Sequence, residues 1–478
     1  MNRDVLKDIN LLKKHHHNTV FDYTEYPTKA NWSFEMKDGA YRAALKDWLT
    51  ASPGKPALFY LHTPFCEELC YFCLCSKEIT KDYSQVKNYL DNFLFKEIDL
   101  LVDLFKTTGL KPSFREVYMG GGSPTYYREP EFEALMNKLR TFIDFSKLKT
   151  FTVEIDPRRV DVDRLRFYHK FGVNRLSFGV QDFDPEVQEE INRHQPPELL
   201  YKLMTPEIRK LFPIINFDIL IGLPKQTPKT MAKTIQTVVD LGPEQVQTLY
   251  VHYKPTVRKY MIKMVRNVPM PDFYDRKAIF VEVVDQLLKG GYKRVGFEDF
   301  AKPDSHLAAS ADESKAYYNS LGTTSGDAPN FIAVGSSAHG VFGKYYFQNF
   351  YEQNLYREAL DRGEFPIYRG YKLTDEDELR RDLIKRIRTY FSIDFASVEK
   401  QYKIDFRKHF AKELKTLEEF AADGIVSIQK GRFDLTELGK HFSPQVASVF
   451  DAYLTRPAFN KDIFVGEKAE QPTKTKAA

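Results

Sequence analysis

The chain has little cysteine, almost no excess charge and no long apolar run, and each shortage closes off a class of protein. Four cysteines in 478 residues are too few for a disulfide-stapled secreted scaffold. Basic side chains number 70 against 66 acidic ones, leaving +4, so neither nucleic acid nor an anionic membrane is an expected partner. Any electrostatic recognition has to be local. No basic, apolar, small-residue segment opens the chain, and about 18 consecutive apolar residues, the length of a membrane span, occur nowhere. The expected location is the cytoplasm and the expected state a monomer. What remains, at 42% hydrophobic residues, is a soluble globular chain long enough for several domains or for one α/β barrel with appendages.

The cysteines are few but not scattered. All lie in Cys66-x3-Cys70-x2-Cys73-x-Cys75. Thiols this close would close only very short disulfide loops, and a reducing compartment points instead to metal or redox chemistry. Structural zinc usually takes two separated knuckles; there is no second pair, and His62 is the nearest imidazole, so zinc stays an alternative without a full ligand set. Electron-transfer iron–sulfur proteins draw a fourth cysteine from a distance. Three thiolates on one loop suit a 4Fe–4S cluster whose fourth iron is open for chemistry.

From residue 57 onward, short apolar runs alternate with longer amphipathic ones, the signature of repeated βα units. Strands are expected at 57–62, 115–119, 150–155, 173–180, 214–221 and 246–252. Helices fit at 129–145, 161–171, 197–211, 228–241 and 272–290, and one follows the cysteine loop with Leu90, Leu94, Ile98, Leu101 and Phe105 on one face. The expected fold class is α/β: an incomplete parallel (β/α)6 barrel at 56–300, which places ligands at the C-terminal ends of its strands. A lead-in or lid segment occupies 1–55, with an exposed run of His15, His16 and His17. An irregular site-covering extension occupies 301–370. A capping box at Thr374 and Asp377 opens a mostly helical, winged-helix-like unit at 371–458, and 459–478 reads as a disordered tail.

Strand parity gives the first candidate site residues. Phe151, Val153 and Ile155 form one face, which turns Glu154 to the other. Leu176, Phe178 and Val180 do the same for Gln181, and Ile215, Phe217, Ile219 and Ile221 for Asp218. If the apolar faces meet the helices, Glu154, Gln181 and Asp218 converge inside, which favours a polar ligand pocket. Gly120-Gly121-Gly122-Ser123-Pro124 follows a strand with neither dinucleotide nor P-loop spacing, leaving open capture of a carboxylate or amino group by backbone.

Together, Tyr60-Leu-His-Thr-Pro-Phe-Cys66-x3-Cys70-Tyr-Phe72-Cys73-x-Cys75, Gly120-Gly-Gly-Ser-Pro-Thr125, Val153-Glu-Ile-Asp-Pro157, Gly179-Val-Gln-Asp-Phe183, Asn192-Arg193 and Asp218-x3-Gly222-Leu-Pro-Lys-Gln226 resemble the radical S-adenosylmethionine superfamily. More narrowly they resemble the oxygen-independent coproporphyrinogen III oxidase family. The resemblance implies that Cys66, Cys70 and Cys73 ligate a 4Fe–4S cluster whose open iron chelates S-adenosylmethionine, and that Cys75 is not a ligand. It implies two S-adenosylmethionine molecules: Tyr60, Phe72, Gly121 and Glu154 on the first, and Gly122, Ser123, Gln181, Arg193 and Asp218 on the second. Tyr60 and Cys75 are the catalytic candidates, and His252 and His339 occupy adenosine-side positions, to stack on adenine or relay a proton. The implied reaction is oxidative decarboxylation of two propionates of coproporphyrinogen III to vinyls, in haem synthesis. The implied electron source is a low-potential donor such as flavodoxin or ferredoxin.

Some positions depart from the family pattern. Phe21-Asp22 and Glu25 stand where basic text is usual, and acidic groups there would repel propionates. The segment Tyr318-Asn319-Ser320-Leu321-Gly322 lacks the usual basic and aromatic text. The alternatives are a related methyltransferase acting on an sp2 carbon with two S-adenosylmethionine molecules, or a haem chaperone that keeps the cluster.

Overall fold

The computed structural model describes residues 23–454 together with Leu11, Lys14 and His15. Asp22, His16, His17 and the expected tail at 459–478 lie outside the described residues. Six strands, β1 (Pro56–Thr63), β2 (Ser113–Gly121), β3 (Thr150–Ile155), β4 (Arg175–Gln181), β5 (Ile214–Ile221) and β6 (Gln245–Tyr250), run parallel in chain order. They fall where the apolar alternation puts them. Their helix-facing residues, among them Val117, Val153, Leu176, Phe178, Phe217 and Ile219, are fully buried in the main core.

The helices follow their sequence signals, with two instructive breaks. Behind the cysteine loop, Tyr83–Tyr89 and Phe95–Thr108 are joined by a π-helical turn at Leu90–Leu94. That wider turn keeps Leu90, Leu94 and Ile98, spaced by four and four, on one buried face. The helix expected over 197–211 is two helices, Glu198–Leu203 and Pro206–Leu211. Pro206 disfavours helical backbone at Thr205, which instead caps the second piece.

The stretch 301–370 is not irregular. The β strands continue as β7 (Lys293–Arg294), β8 (Asp299–Ala301), β9 (Asn330–Val334), β10 (His339–Phe342), β11 (Tyr345–Asn349) and β12 (Ile367–Lys372). The sheet has twelve strands in the order β12-β11-β10-β9-β1-β2-β3-β4-β5-β6-β8-β7 and stays open. β9 pairs parallel with β1, and the strands beyond it are antiparallel. These strands are two to six residues long and their polar residues do not alternate cleanly, which hides them from a periodicity reading. Ser33 of the lead-in bridges to Gly370 of β12.

The helix Asp375–Tyr390 opens at the expected reciprocal capping box of Thr374 and Asp377 and buries Leu379, Leu383, Ile384 and Ile387. A three-stranded sheet of Ser392–Asp394, Arg432–Leu435 and Val426–Ile428 forms the wing. The last helix is short, Ser443–Ser448. The histidine run also needs correction. His15 is buried at 3% exposure, 2.6 Å from the Asp423 carboxylate and packed on Phe420, so it pins the lead-in to the C-terminal unit.

Candidate active site

A cavity of about 660 Å3 opens at the C-terminal ends of β1 to β6. Its wall includes all four cysteines, Phe72, Gly121, Gly122, Ser123, Glu154, Gln181, Arg193, Asp218 and His252. Two predicted residues are not on it. The Tyr60 hydroxyl is 3.2 Å from His62 Nδ1, one layer behind the wall. His339, placed on β10 two strands outside β1, sits 2.6 Å from the Glu25 carboxylate and packs on Phe331 and Trp32. There it ties the lead-in to the sheet.

The glycine turn is held by the chain itself. Gly122 N–H donates to the Thr63 carbonyl at 2.7 Å and Ser123 N–H to the Phe65 carbonyl at 2.8 Å. Gly121 N–H donates to the Glu154 carboxylate at 3.1 Å. The Gly122 and Ser123 donors tie β2 to the end of β1 and the start of the cysteine loop, and the Gly121 donor ties it to β3. Gly121 is the position that requires glycine: its φ is +108°, and a Cβ there would lie 2.5 Å from the His62 ring.

The strand parity holds, with one local exception that sharpens it. Glu154, Gln181 and Asp218 share the cavity. At Gln181 the β4–β5 register shifts, and Gln181 takes a φ of +66°. Such a bulge re-aims a side chain at the end of a strand, and Gly179 leaves the room it needs: a Cβ there would lie 2.9 Å from Gln181 Nε2.

Two buried carboxylates form one wall. Glu154 accepts from the Tyr118 hydroxyl at 3.0 Å, while burial and then the nearby Asp218 push its pKa up to about 7. Asp218 accepts from Asn216 at 2.7 Å and Ser177 at 3.3 Å, and burial pushes it up to about 6. Neither has a cation within ion-pairing distance in the described residues, so this wall is prepared to receive positive charge.

The opposite wall is cationic. Cys70 Sγ lies 3.6 Å from Arg193 Nη1 and 4.0 Å from Arg158 Nη2. Both arginines also reach Asp156, at 3.5 and 2.7 Å. Burial alone would raise the Asp156 carboxyl, but Arg193 and Arg158 outweigh it and hold it well below the usual range. Lys77 donates to the Cys73 carbonyl at 3.1 Å. Burial, and then Cys73, push the Cys66 thiol up to about 12, so ionising all three thiols together calls for a bound cation. The hydrogen bond to Cys73, and then the charge of Cys73, push the Cys75 thiol up from its ordinary value. The donor set fits a cluster held by Cys66, Cys70 and Cys73. Among the described residues no three His, Cys, Asp or Glu side chains are grouped to share a single ion, and thiolates that each take a separate iron do not need to be.

Sequence reasoning missed Asp156, Arg158, Lys77 and Tyr118. Tyr118 was available from the same alternation, because Val117 and Met119 are its apolar neighbours on β2. Asp156-Pro157 marks a turn whose cap accepts from Arg158 N–H, but nothing local shows that the Arg158 side chain turns back to Cys70.

Comparisons with known proteins agree with this geometry. The Radical SAM superfamily matches residues 60–238 and the HemN C-terminal domain matches 373–442. The oxygen-independent coproporphyrinogen III oxidase of Salmonella typhimurium is 34% identical over 452 residues, 94% of this chain and 96% of the relative. The Pseudomonas aeruginosa protein of the same name is 32% identical, covering 92% and 95%. The solved coproporphyrinogen III oxidase of Escherichia coli, a radical SAM enzyme, superposes with a TM-score of 0.84 at 32% identity, over 94% of this chain and 99% of that one. Cysteine loop, sheet and C-terminal unit are thus shared along nearly the whole length, and the chain belongs to the oxygen-independent coproporphyrinogen III oxidase family of radical SAM proteins.

Proposed function

We propose that the chain oxidatively decarboxylates two propionate side chains of coproporphyrinogen III to vinyl groups, giving protoporphyrinogen IX. The observation that carries this reading is the convergence of the cysteine loop and the Glu154, Gln181 and Asp218 set on one cavity, in a chain matching named oxidases over 94% of its length. Radical SAM chains carry a 4Fe–4S cluster and S-adenosylmethionine, which when bound supply a hydrogen-abstracting radical. Cys66, Cys70 and Cys73 would hold the cluster. Phe72, Gly121 and Glu154 would hold one S-adenosylmethionine, with Tyr60 supporting from behind the wall. A second would lie against Gly122, Ser123, Gln181, Arg193 and Asp218, with His252 on the adenosine side. The buried carboxylates fit the cationic sulfonium and amino groups of these ligands.

The substrate is tetra-anionic, and Glu25 of the lead-in does not oppose it as the sequence implies. Glu25 is 3.3 Å from Lys29 and 2.6 Å from His339, so its charge is spent locally. The cavity wall gains basic groups from other elements, Lys81 and Arg128 at its exposed rim, while Arg159 is paired with Glu67 and Glu68. Tyr318 is on the wall as well, with Arg388 of the C-terminal helix 3.1 Å from its hydroxyl. The propionates would meet Lys81 and Arg128. No observation favours the methyltransferase or chaperone readings.

An anaerobic assay tests the proposal. Cluster-reconstituted protein, reductant, S-adenosylmethionine and coproporphyrinogen III should give a product lighter by two carbon dioxide units and two hydrogens for each. Formation of 5′-deoxyadenosine with no tetrapyrrole product would overturn it.

A further inference from the structure

Residues 252–270, which leave β6, hold five lysines and arginines and no acidic residue: Lys254, Arg258, Lys259, Lys263 and Arg266. In a chain with a net charge of only +4 this is a local concentration. Lys254, Lys259, Lys263 and Arg266 are exposed. Between them stand Val257 at 65% and Ile262 at 55% exposure, the two most exposed large apolar side chains among the described residues. Cations around an apolar centre are the makeup of a protein-docking patch.

The inner face of the same segment supports the cysteine loop. Met261, Met264 and Met270 are buried, and Tyr71, Phe72 and Leu74 pack against their cluster. The Tyr260 hydroxyl donates to the Cys73 carbonyl, and Arg258 donates to the Leu74 carbonyl at 3.4 Å. Only this one layer of chain separates the exposed patch from Cys73. Acids on the neighbouring helix Pro185–Glu190 are already engaged: Glu186 with Lys225, Glu189 with His194, and Glu190 with Lys225 and with Asn267 of the segment itself.

We propose that the exposed face of residues 254–266 docks an acidic one-electron carrier protein that reduces the cluster held by the cysteine loop. The inference rests on the reading of that loop as the cluster site. One electron crosses; the carrier is oxidised by one and the cluster reduced by one, with no bond made or broken at this surface.

The test uses the full-length, cluster-reconstituted protein with an acidic flavodoxin as probe. Wild-type protein should bind oxidised flavodoxin more weakly as salt rises. Lys254→Glu/Lys259→Glu/Lys263→Glu should weaken binding about tenfold or more, flatten the salt dependence, and slow flavodoxin-driven bleaching of the cluster by a similar factor. Bleaching by dithionite should be unchanged. Lys408→Glu/Lys412→Glu/Lys415→Glu, exposed on the C-terminal unit, should behave as wild type. If the triple variant loads no cluster, Lys254→Gln/Lys259→Gln is read in the same way. Unchanged flavodoxin affinity, an equal effect in the C-terminal variant, or binding to phosphatidylserine vesicles in place of flavodoxin would overturn the docking site. A wild-type protein that binds flavodoxin but holds no cluster would overturn the cluster reading instead.

Discussion

The two walls of the cavity are built on opposite electrostatic principles from equally buried residues. On one, Glu154 and Asp218 are desolvated with no cation at ion-pairing distance among the described residues, and their pKa values rise to about 7 and about 6. On the other, Asp156 is just as hidden but sits between Arg158 and Arg193, and its pKa falls well below the usual range. The difference lies in what each wall leaves unfinished. The carboxylate wall lacks positive charge, which a sulfonium ligand can supply; the arginine wall has cations to spare for the negative charge of thiolates at Cys70. One cavity can therefore hold an anionic metal site and a cationic cofactor face to face.

Breaking the arginine-and-thiol wall at its centre should have the largest effect. Cys70→Ala should abolish both the iron–sulfur absorbance and turnover; an unaltered absorbance spectrum would remove Cys70 from the ligand set. On the other wall, Glu154→Gln should weaken S-adenosylmethionine binding about a hundredfold by calorimetry, the range expected when one partner of a buried charge contact is removed. The same carboxylate predicts the direction of the pH dependence. Because its pKa is raised, it is ionised above about 7 and protonated below. Affinity for the cationic cofactor should therefore be lost as pH falls, about tenfold between pH 8 and pH 6, and Glu154→Gln should flatten that profile. An affinity that rises on acidification would sink the assignment. The smallest effect is expected from Arg158→Ala. Arg158 is the outer of the two arginines, and Arg193 remains beside Cys70, so cluster loss to a mild chelator should quicken only about threefold.

The sequence was most legible where one physical rule acts over a short range. Alternation located all six parallel strands and turned Glu154 and Asp218 inward, because a strand's side chains must point to opposite faces. The capping box at Thr374 fixed the start of the C-terminal helix for the same reason. Legibility failed where the deciding contact is distant in the chain. His339 was placed by the family pattern alone, and its partner Glu25, far upstream, could not be read from the residues around it. Arg158 looks like a surface residue until Cys70 and Asp156 are brought beside it by the fold. Glu25 looked repulsive to anions because its ion pair with Lys29 and its contact with His339 could not be seen. Short strands such as β10, four residues long, carry too few positions for their period to show.

The open sheet has one more consequence. A sheet that does not close leaves two outer strands, each a row of backbone donors and acceptors on which another chain could grow. Here one outer strand, β7, is two residues long and both are cations, Lys293 and Arg294. The other, β12, is met at Gly370 by Ser33 of the lead-in. The segment that borders the cavity thus also shields the sheet from edge-to-edge aggregation, and a chain trimmed through Ser33 should become prone to self-association as well as poorly active.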